Sequence, residues 1–183
     1  IVVLQFTTAN RPRMNLKHWE SYYQGGALAT GPAGPGGGYD RELRAAWEDF
    51  LQPLPDDATI LDLGTGNGAL ALIIKEFGDA QGRAWRIHGT DLAQIDPASL
   101  VIDGQRRFEG VTFHAGVASE DLPFDEGAFD AVCGQYALEY ADRSRAIPEL
   151  ARVLKPGGRA QFIVHHQQSR LAENARQSLL QGS

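Results

Sequence analysis

Cysteine is almost absent from this chain, which has a single one, Cys133, among its 183 residues. One cysteine can form neither an intrachain disulfide nor a cysteine-based zinc site, a pattern that fits a reducing compartment. No apolar run approaches the roughly 20 residues that a membrane-spanning helix requires. The apolar start, residues 1–6, is too short for the core of a signal peptide. We therefore expect a cytoplasmic protein without a membrane span.

Basic side chains are fewer than acidic ones: Lys and Arg total 17, Asp and Glu total 23, and the formal net charge is −6. An acidic surface repels phosphate backbones, which argues against nucleic acid as the partner. The length and the 43 % apolar content suit one compact domain with a hydrophobic core. Because the chain begins with Ile1 rather than Met, we expect a partial sequence.

The chain divides into two regions by pattern. Residues 1–38 form an N-terminal segment, polar and aromatic, that ends in a Gly/Pro-rich run over residues 31–38, where neither a helix nor a central strand can form. Residues 39–183 form the main domain, which opens with an amphipathic helix capped by Asp40.

An aromatic cluster of Trp19, Tyr22 and Tyr23 precedes the glycine run. It forms either a lid over a ligand, with residues 31–38 as its hinge, or a helix packed on the core. The pattern slightly favours the lid.

From residue 58 onward, short apolar runs alternate with helical segments. Near-continuous apolar strands in such alternation predict an α/β fold, a doubly wound and mostly parallel sheet with helices on both faces. The ligand of such a sheet binds at the carboxyl ends of its strands. The predicted strands are residues 58–63, 85–89, 111–114, 129–133 and 160–164. The predicted helices are residues 69–77 (closed by Gly78), 97–108, a segment reaching Leu154 that Pro148 starts or kinks, and 169–180.

A glycine-rich loop, residues 60–68, follows the first predicted strand. Gly64 and Gly66 permit a tight turn with positive φ and a close approach of backbone to ligand. Together with Ala69 they also fit the dinucleotide fingerprint, so a nicotinamide-dependent oxidoreductase is one alternative. Asp62 distinguishes the two, because a carboxylate at this position would pair with an ammonium group and repel a pyrophosphate. The loop therefore favours an amino acid joined to a nucleoside, without phosphates.

This loop resembles the first motif of the class I S-adenosylmethionine-dependent methyltransferases, and three later segments continue the resemblance. They are Asp91 after the second strand, residues 121–130 before the fourth, and residues 149–158 before the fifth. The similarity covers roughly residues 58–166 and is closest to small-molecule methyltransferases of the ubiquinone/menaquinone type. It implies a Rossmann-like methyltransferase fold, S-adenosylmethionine as cofactor with S-adenosylhomocysteine as product, and in-line methyl transfer to a small-molecule acceptor.

The resemblance implies a cofactor site along the strand ends. Asp91 stands where the family holds both ribose hydroxyls. Val117 replaces the aspartate that contacts adenine in the family, so we expect Ala118, with Ser119 or Glu120, to take that part. The expected cofactor-binding residues are Asp62, Gly64, Thr65, Gly66, Asp91, Leu92, Ala118, Ser119 and Gln135.

Residues after the fourth and fifth strands are candidates for the acceptor side. Gln135 and Tyr136 would face the transferable methyl, and Tyr136 and His165 are the candidate catalytic residues. Because His165 and His166 are adjacent in a strand, they point to opposite faces, and no metal site is expected. A non-catalytic relative that binds the cofactor without methyl transfer is a second alternative.

The family normally adds two strands after the fifth, whereas this chain offers only the predicted helix 169–180. Either those two strands are missing or residues 1–6 supply an edge strand. An exposed sheet edge would favour a dimer.

Overall fold

A parallel sheet organises the protein in the computed structural model, which describes residues 16–29, 39 and 41–164. Within these residues five strands lie in the order β3-β2-β1-β4-β5, and every pairing is parallel. The strand order reverses between β1 and β4, which is where a doubly wound sheet opens its ligand crevice. The strands are β1 (Thr59–Leu63), β2 (Arg86–Asp91), β3 (Val111–Ala115), β4 (Phe129–Gln135) and β5 (Leu154–Ile163).

Six helices accompany the sheet in the described part of the chain, and they cover both faces. Alternate residues of β1 point to opposite sides: Ile60 packs with Trp47 and Ile74 on one face, and Leu61 packs with Leu150 on the other. This arrangement confirms the predicted doubly wound α/β fold. The helices are α1 (Leu16–Gln24), α2 (Arg41–Leu51), α3 (Ala69–Ala80), α4 (Pro97–Leu100), α5 (Gly104–Arg107) and α6 (Arg143–Val153).

The helix predicted over residues 97–108 is wrong, because two short helices, α4 and α5, take its place. Asp103 lies between them with φ of 57°, a left-handed conformation that no α-helix continues through. Val101 beside it is buried among apolar side chains. The chain therefore turns here so that an apolar residue reaches the core, a tertiary requirement that the helical periodicity alone does not reveal.

Other element bounds also differ from the predicted ones. Helix α6 begins at Arg143, capped by the Asp142 side chain, so Pro148 lies inside it rather than at its start. Pro148 is exposed, and so is Ser144 four residues earlier, whose carbonyl group loses its usual helical partner to the proline. Strand β5 begins at Leu154, and residues 156–158 form an irregularity within it rather than a turn before it.

Several predictions lie outside the described residues, namely those on residues 1–6, 31–38, Asp40, His165, His166 and 169–180. In the described ranges, no helix is both long and apolar enough to span a bilayer. The same ranges contain no cluster of three or more His, Cys, Asp or Glu residues suited to a metal ion.

Gly78 offers a test of packing against helix propensity. The sequence predicts that it closes α3, yet the helix continues to Ala80. A Cβ at Gly78 would lie 2.8 Å from Trp85 Cε3, and the Trp85 indole is fixed because its Nε1 donates to Pro55 O at 2.7 Å. We expect Gly78→Ala to destabilise the fold by about 1–3 kcal/mol through overpacking. At a helix position without close neighbours the same substitution would stabilise the helix by about 1 kcal/mol, because alanine has the higher helix propensity. Urea unfolding measures the difference.

The matched control is the same substitution in a Trp85→Ala background, where the close contact is gone. There Gly78→Ala should be neutral or stabilising. A stabilising effect in the wild-type background would contradict the contact.

Candidate functional site

A cleft of about 940 Å³, counting its open mouth, lies at the carboxyl ends of the strands. Four of the five strands contribute their following loops to its wall, and α1 with the residues after it covers one side. The lining residues are Trp19, Tyr23, Leu28, Tyr39, Gly64, Thr65, Gly66, Asn67, Asp91, Leu92, Ala93, Val117, Ser119, Glu120, Gln135, Tyr136, Ala137, Tyr140 and Ala141.

The glycine loop after β1 presents its backbone to this cleft. Gly64 and Gly66 have φ of 65° and 51°, which side chains rarely tolerate. A Cβ at Gly66 would lie 2.7 Å from Tyr23 Cε1, so a side chain there would displace the Tyr23 ring. Thr65 N donates to Thr90 O at 2.9 Å and joins the loop to the end of β2. The loop therefore leaves room for a ligand only because it is glycine-rich.

Asp91, the last residue of β2, lies on the cleft wall with 8 % of its surface exposed. Its Oδ2 accepts from Gly66 N and its Oδ1 from Ala93 N, both at 2.9 Å. Burial raises the pKa of Asp91, and the backbone amides that bind the carboxylate partly offset this. Each carboxylate oxygen retains a lone pair, so the group can still accept two hydroxyl donors from a ligand.

Asp62 lies behind the glycine loop and not on the cleft wall. It is 1 % exposed, and its Oδ2 accepts from Thr65 Oγ1 at 2.6 Å and from Ala71 N at 3.1 Å. Burial, with a contribution from Asp91, raises the pKa of Asp62 to about 7. The carboxylate therefore fixes the loop to the first turn of α3, and its contact with a ligand ammonium group stays a prediction.

The loop after β3 contributes to the wall through Val117, Ser119 and Glu120, whereas Ala118 is not among the lining residues. Val117 N donates to Asp91 O at 2.9 Å. Glu120 Oε1 accepts from Asp142 N at 2.5 Å, which ties this loop to the start of α6. Ser119 and, after β2, Leu92 lie on the cleft wall, and their contact with a cofactor stays a prediction.

Gln135 at the end of β4 is held by a buried tryptophan. Trp47 Nε1 donates to Gln135 Oε1 at 2.7 Å. Because the indole N–H can only donate, this bond fixes the orientation of the amide. Gln135 Nε2 is then buried with no hydrogen-bond partner in the described residues, while Gln135 lines the cleft.

Tyr136 follows Gln135 on the cleft wall with φ of 57°, in the left-handed region. A tyrosine in that region is strained, and such strain concentrates at functional sites. Tyr136 N donates to Ile163 O at 2.8 Å, which holds the residue beside the end of β5. The other catalytic candidate, His165, lies outside the described residues.

Helix α1 carries an aromatic wall of the cleft. Trp19 stacks on Tyr23 with ring centroids 5.9 Å apart and meets Tyr140 edge-on at 5.7 Å. Tyr23 also packs with Ala93 and Ile95. The helix therefore packs on the core and also borders the cleft, and its action as a lid stays a prediction.

Among the polar and aromatic residues of the wall, sequence reasoning missed three as site candidates, Asn67, Tyr39 and Tyr140. Tyr140 could have been predicted from the sequence, because it lies shortly after the end of a strand, where ligands of such sheets bind. Asn67 lies within the glycine motif, but nothing in the sequence indicated that its side chain meets α1.

The sheet order and the glycine-loop cleft together define a doubly wound, Rossmann-like domain. Residues 61–162, more than half of the chain, match the family described as a methyltransferase domain. The chain therefore belongs to this family of S-adenosylmethionine-dependent methyltransferases. The resemblance identified from the motifs is confirmed, and the nicotinamide-dependent oxidoreductase alternative has no support in these comparisons.

Named relatives extend the comparison. Demethylmenaquinone methyltransferase of Thermus thermophilus is 40 % identical over 104 residues, which are 55 % of this chain and 44 % of that protein. Two solved structures share the fold. One is geranyl diphosphate C-methyltransferase from Streptomyces coelicolor, in complex with Mg²⁺, geranyl diphosphate and S-adenosyl-L-homocysteine (TM-score 0.59, 21 % identity, 89 % of this chain and 71 % of that one). The other is the cyclase SpnF (TM-score 0.61, 24 % identity, 86 % and 64 %). The chain spans less than half the length of the first curated relatives that it matches.

Asp62→Asn tests the buried carboxylate. Because burial raises the folded-state pKa of Asp62 to about 7, its contribution to stability is full below the unfolded pKa of about 4 and is lost as pH rises through 7. We expect the neutral variant to lack this loss, so that its stability relative to wild type increases with pH. Urea unfolding at about pH 5 and about pH 8 measures it.

Asp130→Asn is the control, because the pKa of Asp130 is shifted in the opposite direction to that of Asp62. Although burial acts to raise the pKa of Asp130, hydrogen bonds from Thr59 N and Lys155 Nζ hold it below its ordinary value. A lowered pKa gives stability that is present above the unfolded pKa and lost as pH falls. This variant should therefore lose stability relative to wild type at neutral pH. Equal pH dependence in the two variants would contradict the assignment.

Proposed function

We propose that this chain binds S-adenosylmethionine in the cleft and that the protein transfers the methyl group to a small-molecule acceptor. The observation that carries the proposal is the Asp91 carboxylate, which is buried in the cleft wall and bound to the amide of Gly66. A desolvated carboxylate beside a glycine turn suits a ligand that brings neutral hydroxyl donors, as a ribose does. Family membership adds the methyl-transfer chemistry.

The described residues suit this cofactor along its length. Gly64 and Gly66 would lie against its amino-acid part, because both line the cleft with positive φ and present backbone there rather than side chains. Asp91 would accept from both ribose hydroxyls, with Leu92 beside it, and Ser119 would lie at the adenine. When bound, S-adenosylmethionine supplies a methyl group on a positively charged sulfur. In an in-line displacement the acceptor takes this methyl group, and the sulfur leaves readily as the neutral thioether of S-adenosylhomocysteine.

Two buried polar atoms support a polar ligand in the cleft. Gln135 Nε2 and Asn67 Oδ1 have no hydrogen-bond partner in the described residues, although both residues line the cleft. Buried polar groups in native structures are usually paired. A ligand with its own donors and acceptors, or water accompanying it, would satisfy them.

The contribution of the protein to catalysis is alignment of donor and acceptor and exclusion of water. Residues 1–38 would act as the lid of a domain formed by residues 39–183, with Trp19 and Tyr23 closing the cleft. Tyr136, whose amide donates to Ile163 O at the end of β5, is the candidate to orient or deprotonate an acceptor hydroxyl, together with His165. A general base is needed only where the acceptor must lose a proton.

The acceptor that suits this wall carries a planar ring. Trp19, Tyr136 and Tyr140 line the cleft together, and aromatic side chains bind rings by stacking and edge contacts. The relative from Thermus thermophilus is named for methylation of demethylmenaquinone, whose name indicates a ring-bearing small molecule. A panel of phenols and reduced quinones is therefore the first acceptor screen.

A second candidate is a protein that uses the same fold without methyl transfer. The structural neighbour SpnF is named as a cyclase, so the fold alone does not fix the reaction. Formation of S-adenosylhomocysteine in the acceptor screen distinguishes methyl transfer from binding alone.

Titration calorimetry with S-adenosylmethionine and S-adenosylhomocysteine tests cofactor binding, and Asp91→Asn tests the site. The substitution keeps the shape of the side chain but replaces one acceptor oxygen with a donor and removes the charge. Loss of a charge-assisted hydrogen bond should weaken binding roughly 10- to 100-fold.

The matched control is Asp103→Asn, because Asp103 is exposed, lies off the cleft wall and has the left-handed φ that asparagine accepts. It should bind like wild type. Wild-type protein that binds neither sulfur compound would refute the proposal, and binding of NADH alone would favour the nicotinamide alternative.

A further inference from the structure

Asn67 joins the glycine loop to α1. Its side-chain Nδ2 donates to Tyr23 O and to Ala27 O, each at 2.9 Å. Both N–H groups of the amide are therefore used, and the residue is only 1 % exposed. These two carbonyl groups belong to the last turn of α1 and to the segment just after it.

The position of these carbonyl groups gives the bonds their importance. Tyr23 O accepts from Gly26 N at 3.0 Å in the turn that ends α1, and Asn67 ties this turn, together with the carbonyl group of Ala27 just after it, to the glycine loop. A helix of 9 residues is also too short to be stable on its own, so α1 depends on contacts with the rest of the domain. Asn67 supplies such a contact from the loop that lies under the cleft.

The aromatic wall depends on the same placement. The Tyr23 ring lies against Gly66, and Trp19 stacks on Tyr23. If α1 shifts, both rings leave the cleft wall. A ligand that orders the glycine loop would therefore favour the docked position of α1, and by reciprocity docking of α1 would favour the ligand.

We propose that Asn67 is a positioning residue that couples cofactor binding at the glycine loop to docking of α1. Its role requires a donor: a carboxylate of the same shape would face two carbonyl oxygens and repel them. This inference rests on the proposed function for the cofactor, and so for S-adenosylhomocysteine as the probe, whereas the bonds between Asn67 and α1 do not depend on it.

Asn67→Asp in the full chain is the sharpest test, read by amide hydrogen exchange and by calorimetry with S-adenosylhomocysteine. Loss of two hydrogen bonds should speed exchange in residues 16–29 roughly tenfold or more, while β1 and β4 stay protected as in wild type. The dissociation constant should rise by a comparable factor. Because a protonated carboxyl group regains one donor, this factor should shrink as pH is lowered.

Gln161→Glu is the matched control. It makes the same amide-to-carboxylate change, and Gln161 Nε2 also donates to a helix carbonyl, Ala46 O at 3.3 Å, away from the cleft wall. Exchange in residues 16–29 and ligand affinity should match wild type. Asn67→Ala, which removes the donor without adding charge, should show the same pattern as Asn67→Asp and serves if the latter fails to fold.

Three results decide the matter. Unchanged exchange in residues 16–29 of both Asn67 variants would overturn the inference, and so would faster exchange without any loss of affinity. If wild type does not bind S-adenosylhomocysteine, the proposed function fails, and exchange without ligand still decides whether Asn67 holds α1.

Discussion

The hydrogen bonds that two buried carboxylates accept from the glycine loop and the elements beside it are the interactions on which the cleft depends. Asp62 accepts from Thr65 and from the first turn of α3, and Asp91 accepts from Gly66 and from the loop after β2. Both groups are desolvated, and burial raises both pKa values. A charge in such a position is tolerated because the amides compensate it. The glycine loop therefore has one shape, and the remaining walls of the cleft are built against it.

The walls are built by tertiary contacts that link distant segments. Trp47 of α2 orients Gln135 at the end of β4, and Asn67 binds the end of α1. Neither contact lies within one structural element. A substitution at Trp47 can therefore alter the cleft without contacting any ligand, because it releases the amide that the indole holds. Family membership gives the class of chemistry, and these contacts position the residues of the cleft wall in this chain.

The fold and the centre of the site are largely predictable from the sequence. Buried parallel strands are apolar throughout, and their carboxyl ends meet at one edge, so the order of the motifs alone places Asp91 beside Gly66. Asp62 and Ala118 lie off the cleft wall because the direction of a side chain depends on the turn that carries it. The helix break at Asp103 and the bonds of Asn67 follow from contacts between segments, which periodicity does not encode.

The pairing of β1 with β4 has a consequence for synthesis of the chain. Thr59 N donates to Asp130 Oδ2 across 71 positions of sequence, and the two strands lie side by side. Such a pairing requires closure of a long loop, and the entropy cost of this closure comes before the contacts between the strands can offset it. On the ribosome the glycine loop therefore has a neighbour on one side only until β4 has emerged. During that interval β1 presents an open edge, and this is when the nascent chain is most prone to pair with another strand.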